Sequence, residues 1–286
     1  TLTTNSLFYD LRNNTASYKT KARIVDTSNT LTSIRGYYYT ETKNIYFKDS
    51  VRLVNDDFEM NCDTLQYNIG SRKAFFHSPT KILGDQTEIY TEDGWYNTRL
   101  KQSKFLRNAY VFNEQNQIFG DTLYFDNETE YANAIGNVVF IDTSEDARLT
   151  GHFAEHFGDR DYTYITDSAL FTKYMENDTF YLHGDTLRII PDSSGEHKIF
   201  LAFFDVRGFG TNMSLTCDSL AYAPNDSVMH LYRDPVMWNE QSQISADSIS
   251  LFLKDDNLDY MDLTDNCFMI DQLDTARYNQ VKGRNM

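Results

Sequence analysis

Proline is scarce, at 4 in 286 residues, and glycine numbers only 13. Collagen-like and Pro/Gly-rich linker chains are therefore excluded. Basic charge is also short. Lys+Arg 26 against Asp+Glu 42 leaves a net charge of −16. Nucleic acid is excluded as a partner, because phosphate binding needs clustered Lys and Arg, and so is docking on an anionic membrane surface. Long apolar runs are missing. The longest, Ile199–Phe204, falls far short of the roughly 18 residues of a membrane-spanning helix. Thr1-Leu2-Thr3-Thr4-Asn5 shows no basic or apolar leader region, so a signal peptide is expected to be absent or already removed. Cys62, Cys217 and Cys267 make no CxxC pair and no disulfide framework; the simplest reading is three small buried side chains. No G-x-S-x-G, HExxH or P-loop occurs, so no catalytic residue is assigned and the chain is read as not an enzyme.

What the chain does have is aromatic and alternating. It carries 20 Tyr and 20 Phe, with 41% hydrophobic residues, enough to build a core. Leu123 and Phe125 share one face of Asp121–Phe125, and positions 132, 134, 138 and 140 are apolar. Period two indicates strands, and no window shows a helical stripe.

The pattern also repeats. Asn5-Ser6-Leu7-Phe8-Tyr9-Asp10 returns as Asp63-Thr64-Leu65-Gln66-Tyr67-Asn68 and as Asp121-Thr122-Leu123-Tyr124-Phe125-Asp126, in steps of 58. Later copies begin at Asp185, Asp218 and Asp247. A second phrase, Gly36-Tyr37-Tyr38, Gly94-Trp95-Tyr96 and Gly151-His152-Phe153, interleaves with it. Polar triplets, read as turns entering strands, start at 49, 78, 108, 137 and 167, with later ones at 234 and 265. The first five are 29 or 30 residues apart. The unit is about 29 residues in two flavours, and the rhythm loosens around Pro191–Gly195.

A fixed period of this length means stacked units whose neighbours complete one another's core. The expected fold is all-β: an elongated repeat β-jelly roll of two facing antiparallel sheets with open ends. Each unit adds a strand to both sheets. The chain is expected to form one continuous array over 1–286, with an irregular insertion near 190–198. Gly-Asp pairs at 84–85, 120–121 and 184–185 read as bends or bulges. An apolar inward stripe is expected at Leu7, Tyr9, Leu65, Tyr67, Leu123, Phe125, Leu187, Ile189, Leu220, Tyr222, Ile249 and Leu251. These residues either fill the space between two sheets or line a groove, and residue identity does not separate the two.

Other candidates are weaker. His152 and His156 lie about 13 Å apart on an extended strand, so no zinc site is assigned. Asp255–Asp259 lacks the spacing and closing Glu of a calcium loop. Lys101, Lys104 and Arg107 form the notable basic cluster, read as a solvated strand face.

The phrase D-[TS]-[LI]-x-[YF], followed by Ala134-Ile135-Gly136-Asn137-Val138-Val139-Phe140-Ile141-Asp142 and Leu149-Thr150-Gly151-His152-Phe153-Ala154, resembles the OstA/LptA family of periplasmic lipopolysaccharide-transport proteins. The resemblance is best over residues 100–190 and extends by repeat to most of the chain. It implies a periplasmic location, no cofactor, and lipopolysaccharide as cargo, with lipid A acyl chains held along the inward stripe. It also implies end-to-end stacking on other jelly-roll transport components. The chain is expected to continue past Met286, since it ends inside a repeat. Two other readings of the repeats are a cell-envelope spacer or adhesin without lipid, and a carbohydrate-active β-solenoid.

Overall fold

The computed structural model describes every residue except Thr27, Glu145, Asn177, Glu196, Glu240, Asp255, Asp256, Thr275 and Ala276, and the side chains of Pro224 and Asn257. The described residues form 26 strands and two one-turn 3-10 helices, Gly158–Arg160 and Pro224–Asp226. None of the described residues is α-helical. The strands pair antiparallel. The chain divides into two compact units, Thr1–Val138 and Val139–Met286.

The polar triplets at 49, 108, 137, 167 and 265 turn out to be corners inside strands, while those at 78 and 234 link one strand to the next. Strand Asn44–Val54 pairs with Phe58–Asn68 as far as Lys48↔Thr64 and resumes at Val51↔Cys62. Asp49 and Ser50 thus oppose the single residue Asp63. Both are left-handed, at φ 65° and 53°. Two successive left-handed residues make the bend of a type I′ turn, which Asn and Asp tolerate best. Set within a strand, the same bend is a bulge that redirects the chain. Arg107 and Asn108 do the same opposite Asp121. In the second unit Asp167 and Ser168 oppose Asp185, Phe204 and Asp205 oppose Asp218, and Asp265 and Asn266 oppose Arg284. The Gly-Asp pairs at 120–121 and 184–185 lie at these corners, while Gly84 closes a strand before a hairpin turn.

At each corner a strand passes from one sheet to the other. Phe58–Asn68 shows this: before Asp63 it pairs with Thr80–Gly84, and after it with Lys73–Phe76. One sheet, sheet A, ends on four-residue turns at 11–14, 40–43, 69–72, 98–101 and 127–130, each 29 residues from the last. Asp10, Asn68, Asn97 and Asp126 begin these turns by accepting backbone N–H groups two or three residues on. Sheet B ends on the intervening hairpins. Each 29-residue repeat therefore contributes two strand segments to each sheet, not one.

Within each unit the two sheets meet along the corners. In the first unit, the sheet A row beside the seam runs Tyr18↔Gly36↔Phe47↔Leu65↔Phe76↔Gly94↔Phe105↔Leu123. The sheet B row beside it is small: Val51, Cys62, Thr80, Thr91 and Ala109, all buried. Large side chains on one sheet thus fill the space left by small ones on the other, as a wedge apex requires. Tyr18 crosses the seam to place its hydroxyl 2.6 Å from Ser33 Oγ. The second unit repeats the scheme with Ile165, Leu187, Ala202, Leu220, Leu231, Ile249 and Leu263 against Ala169, Val206, Cys217, Ala246 and Cys267. Fully burying one such leucine contributes roughly 1.5–3 kcal/mol.

On the outer side of the corners, Arg–Asp pairs clamp neighbouring strands. Arg107 Nη2 donates to Asp93 at 2.5 Å, and Arg284 Nε to Asp265 at 3.0 Å. These pairs are exposed and screened by salt, so they set register more than stability.

Candidate functional site

The second row in from each seam decides whether the interior is packed or open. In sheet B of the first unit it is wholly aliphatic: Ile24↔Leu31↔Leu53↔Met60↔Ile82↔Ile89↔Val111↔Ile118. In sheet A it runs Tyr38↔Ile45↔Tyr67↔Ala74↔Tyr96↔Ser103↔Phe125. Leu31, Met60 and Ser103 are buried, but the rest stay half-buried although they face inward. The seam is thus closed while the space above it remains accessible and apolar. The second unit is tighter. There Leu182, Leu215, Met229, Met237, Ile244 and Leu251 are buried in the corresponding rows.

The stripe expected from the sequence divides along the same lines. Leu65, Leu123, Leu187, Leu220 and Ile249 sit buried beside the seams, and Leu251 is buried one row out. Tyr67, Phe125, Ile189 and Tyr222 are half-buried in the second rows. Leu7 and Tyr9 are 59% and 53% exposed. Strand Phe8–Asp10 pairs with Thr15–Tyr18 alone among the described residues, so no second neighbour covers them. The sequence reading missed the whole aliphatic row of sheet B and, in sheet A, Ile45, Ala74, Ser103 and the two aromatics Tyr38 and Tyr96. The missed aromatics carry the plainest signal. They follow Gly36 and Gly94, so the leucine phrase does not mark them. The signal was there as spacing, since aromatics stand at 9, 38, 67, 96 and 125, always 29 apart.

All three cysteines are free and buried. Each lies on the sheet B side of a corner, beside Asp63, Asp218 or Asn266, where a small side chain is needed. Burial pushes the Cys62 and Cys217 thiols up to about 12. Neutral, shielded thiols are poor nucleophiles. A disulfide reagent at pH 8 should therefore leave both unmodified in the folded protein and label them rapidly in denaturant; fast labelling of the native chain would contradict their place in the seam.

The remaining candidates separate. His156 Nδ1 lies 2.8 Å from Thr163 Oγ1, whereas His152 is exposed at a corner. No group of three or more metal-ligating side chains occurs among the described residues. Asp255 and Asp256, the start of the calcium candidate, lie outside the described residues. Lys101 closes a turn, Lys104 lies on the outer face of sheet A, and Arg107 pairs with Asp93, so the three form no shared patch. No helix of the described residues is long and apolar enough to cross a membrane.

Residues 1–63 match the family described as OstA-like protein. Among solved structures, the chain is similar to LptH, the LptA homologous periplasmic component of the lipopolysaccharide transport device of Pseudomonas aeruginosa. The identity is 12%, the match covers 58% of this chain and 93% of that one, and the TM-score is 0.28. No curated protein matches.

Proposed function

We propose that this chain, OstA-like over residues 1–63, is a non-enzymatic periplasmic carrier of lipopolysaccharide that shelters acyl chains between the sheets of its first unit. The single observation that carries this reading is the accessible second row. Leu53, Ile82, Ile89, Val111 and Ile118 face inward, are apolar, and remain half-buried. A wedge built only to pack would close over them, as much of the second unit does.

Each CH₂ taken from water into such a slot contributes about 0.8 kcal/mol. Apolar burial can therefore hold an acyl chain without a cationic clamp. That matters here, because a net charge of −16 repels lipid phosphates. The cargo enters chains first, and its anionic head stays outside.

The test is purification from a lipopolysaccharide-producing host without detergent, followed by mass spectrometry of the bound lipid. Lipid A-containing species should accompany the protein in roughly stoichiometric amount. Recovery of a lipid-free protein that takes up no lipopolysaccharide on incubation would overturn the reading.

A further inference from the structure

The two lips of the groove in the first unit differ in chemistry. Tyr38, Tyr67 and Tyr96 occupy the second row of sheet A, each two residues before a four-residue turn and therefore near the mouth. Across the corner from each stands an aliphatic side chain, Leu31, Met60 or Ile89. Ile45 and Ala74 fill the strands between the tyrosines. The phenols thus recur on every second strand, about 10 Å apart from strand spacing alone.

Their hydroxyls have no hydrogen-bond partner among the described residues, and no deeply buried polar side-chain atom in the described structure lacks one. Tyr18, by contrast, spends its hydroxyl on Ser33 inside the seam. The fold does not need the three free hydroxyls. Phe125 holds the next place in the same row without one. A row of unused donors along one lip of an apolar slot fits a ligand that is hydrocarbon inside and carries acceptors at the mouth. Acyl ester and amide carbonyls have that arrangement, and they are uncharged, which suits an acidic protein.

We propose that Tyr38, Tyr67 and Tyr96 form a hydrogen-bonding rail that reads the ester and amide linkages of an acylated amphiphile and fixes how deep its chains enter. The proposal rests on the carrier reading above and adds the part of the cargo that is recognised. A lipid moving along the groove meets an equivalent donor every second strand, so it exchanges one hydrogen bond for the next.

The test compares two probes on the full chain: hexa-acylated lipid A, and 1,6-diphenylhexatriene, a hydrocarbon without acceptors. The triple substitution Tyr38→Phe, Tyr67→Phe, Tyr96→Phe keeps every ring. It should weaken lipid A binding by about tenfold or more, given the usual worth of a net hydrogen bond, and leave the hydrocarbon Kd within twofold. Phe125→Tyr, which lengthens the rail, should tighten lipid A binding severalfold. Lipid A binding unchanged in the triple variant, or an equal loss for both probes, would overturn the rail while leaving the carrier reading intact. Failure of the unsubstituted protein to bind either probe would overturn both.

Discussion

Gly94→Ala should be among the most damaging single-methyl additions in the first unit. A Cβ at Gly94 would lie 2.2 Å from the backbone oxygen of Lys104, and the residue sits at φ +150°. Neither obstacle is the tip of a movable side chain. Gly94 is also threaded between Phe76 and Phe105, whose ring centroids stand 6.3 Å apart. The added methyl would meet the backbone of the neighbouring strand, with Lys104 C and Phe105 Cα each 3.2 Å away. Overpacking together with an unfavourable φ costs on the order of 3 kcal/mol or more. For a chain of this size that lowers Tm by roughly 6–12 °C. Gly195→Ala is the comparison. It too has a left-handed φ, +76°, but nothing lies within 4 Å of its Cβ, so it bears only the backbone cost of about 1–2 kcal/mol. Thermal unfolding followed by circular dichroism should rank Gly94→Ala well below Gly195→Ala. Equal shifts for the two would contradict the close approach of the Lys104 backbone at Gly94.

The place of Gly94 between two phenylalanines also explains the two flavours of the repeat. Positions 7, 36, 65, 94 and 123 read Leu, Gly, Leu, Gly, Leu, while positions 18, 47, 76 and 105 read Tyr, Phe, Phe, Phe. The aromatics come from strands leaving the four-residue turns, and the Leu/Gly positions from strands returning to them. Paired side by side in sheet A, Phe47, Phe76 and Phe105 each have a leucine on one flank and a glycine on the other. An unbroken row of large side chains would overfill the apex of the wedge. Alternate glycines make room for the rings.

Much of this was legible in the sequence. Period-two alternation marked the strands, and the 29-residue beat marked stacked units, because both follow from spacing that survives folding unchanged. Leu65, Leu123, Leu187, Leu220 and Ile249 were readable as interior for the same reason. The corners were not. Asp49-Ser50 and Asp265-Asn266 look like turns because Asn and Asp favour left-handed backbone wherever it occurs. Whether the chain then reverses or merely changes sheet depends on pairing with distant strands. The consequence was a miscount of strand segments per repeat. Exposure of Leu7 and Tyr9 was hidden for a related reason: their phrase matches the buried copies, but burial depends on how many neighbours a strand has, which the phrase does not record. Tyr38 and Tyr96 were passed over because Gly36 and Gly94 replace the leucine that flags the other copies.

The central claim is that the inner face of the first unit, and not its outer face, touches acyl chains. Tyr124 and Phe125 test it with one residue of separation. They are consecutive on strand Asn116–Asp126. Tyr124 pairs with Lys104 on the outer side and Phe125 with Ser103 on the inner side. Both are half-buried aromatics, so a photo-reactive phenylalanine analogue fits either place. Illumination in lipopolysaccharide-producing cells, followed by immunoblotting for lipopolysaccharide, should give a strong lipid adduct from position 125 and at most a trace from position 124. Equal capture at the two positions, or capture at 124 alone, would contradict a lipid path between the sheets.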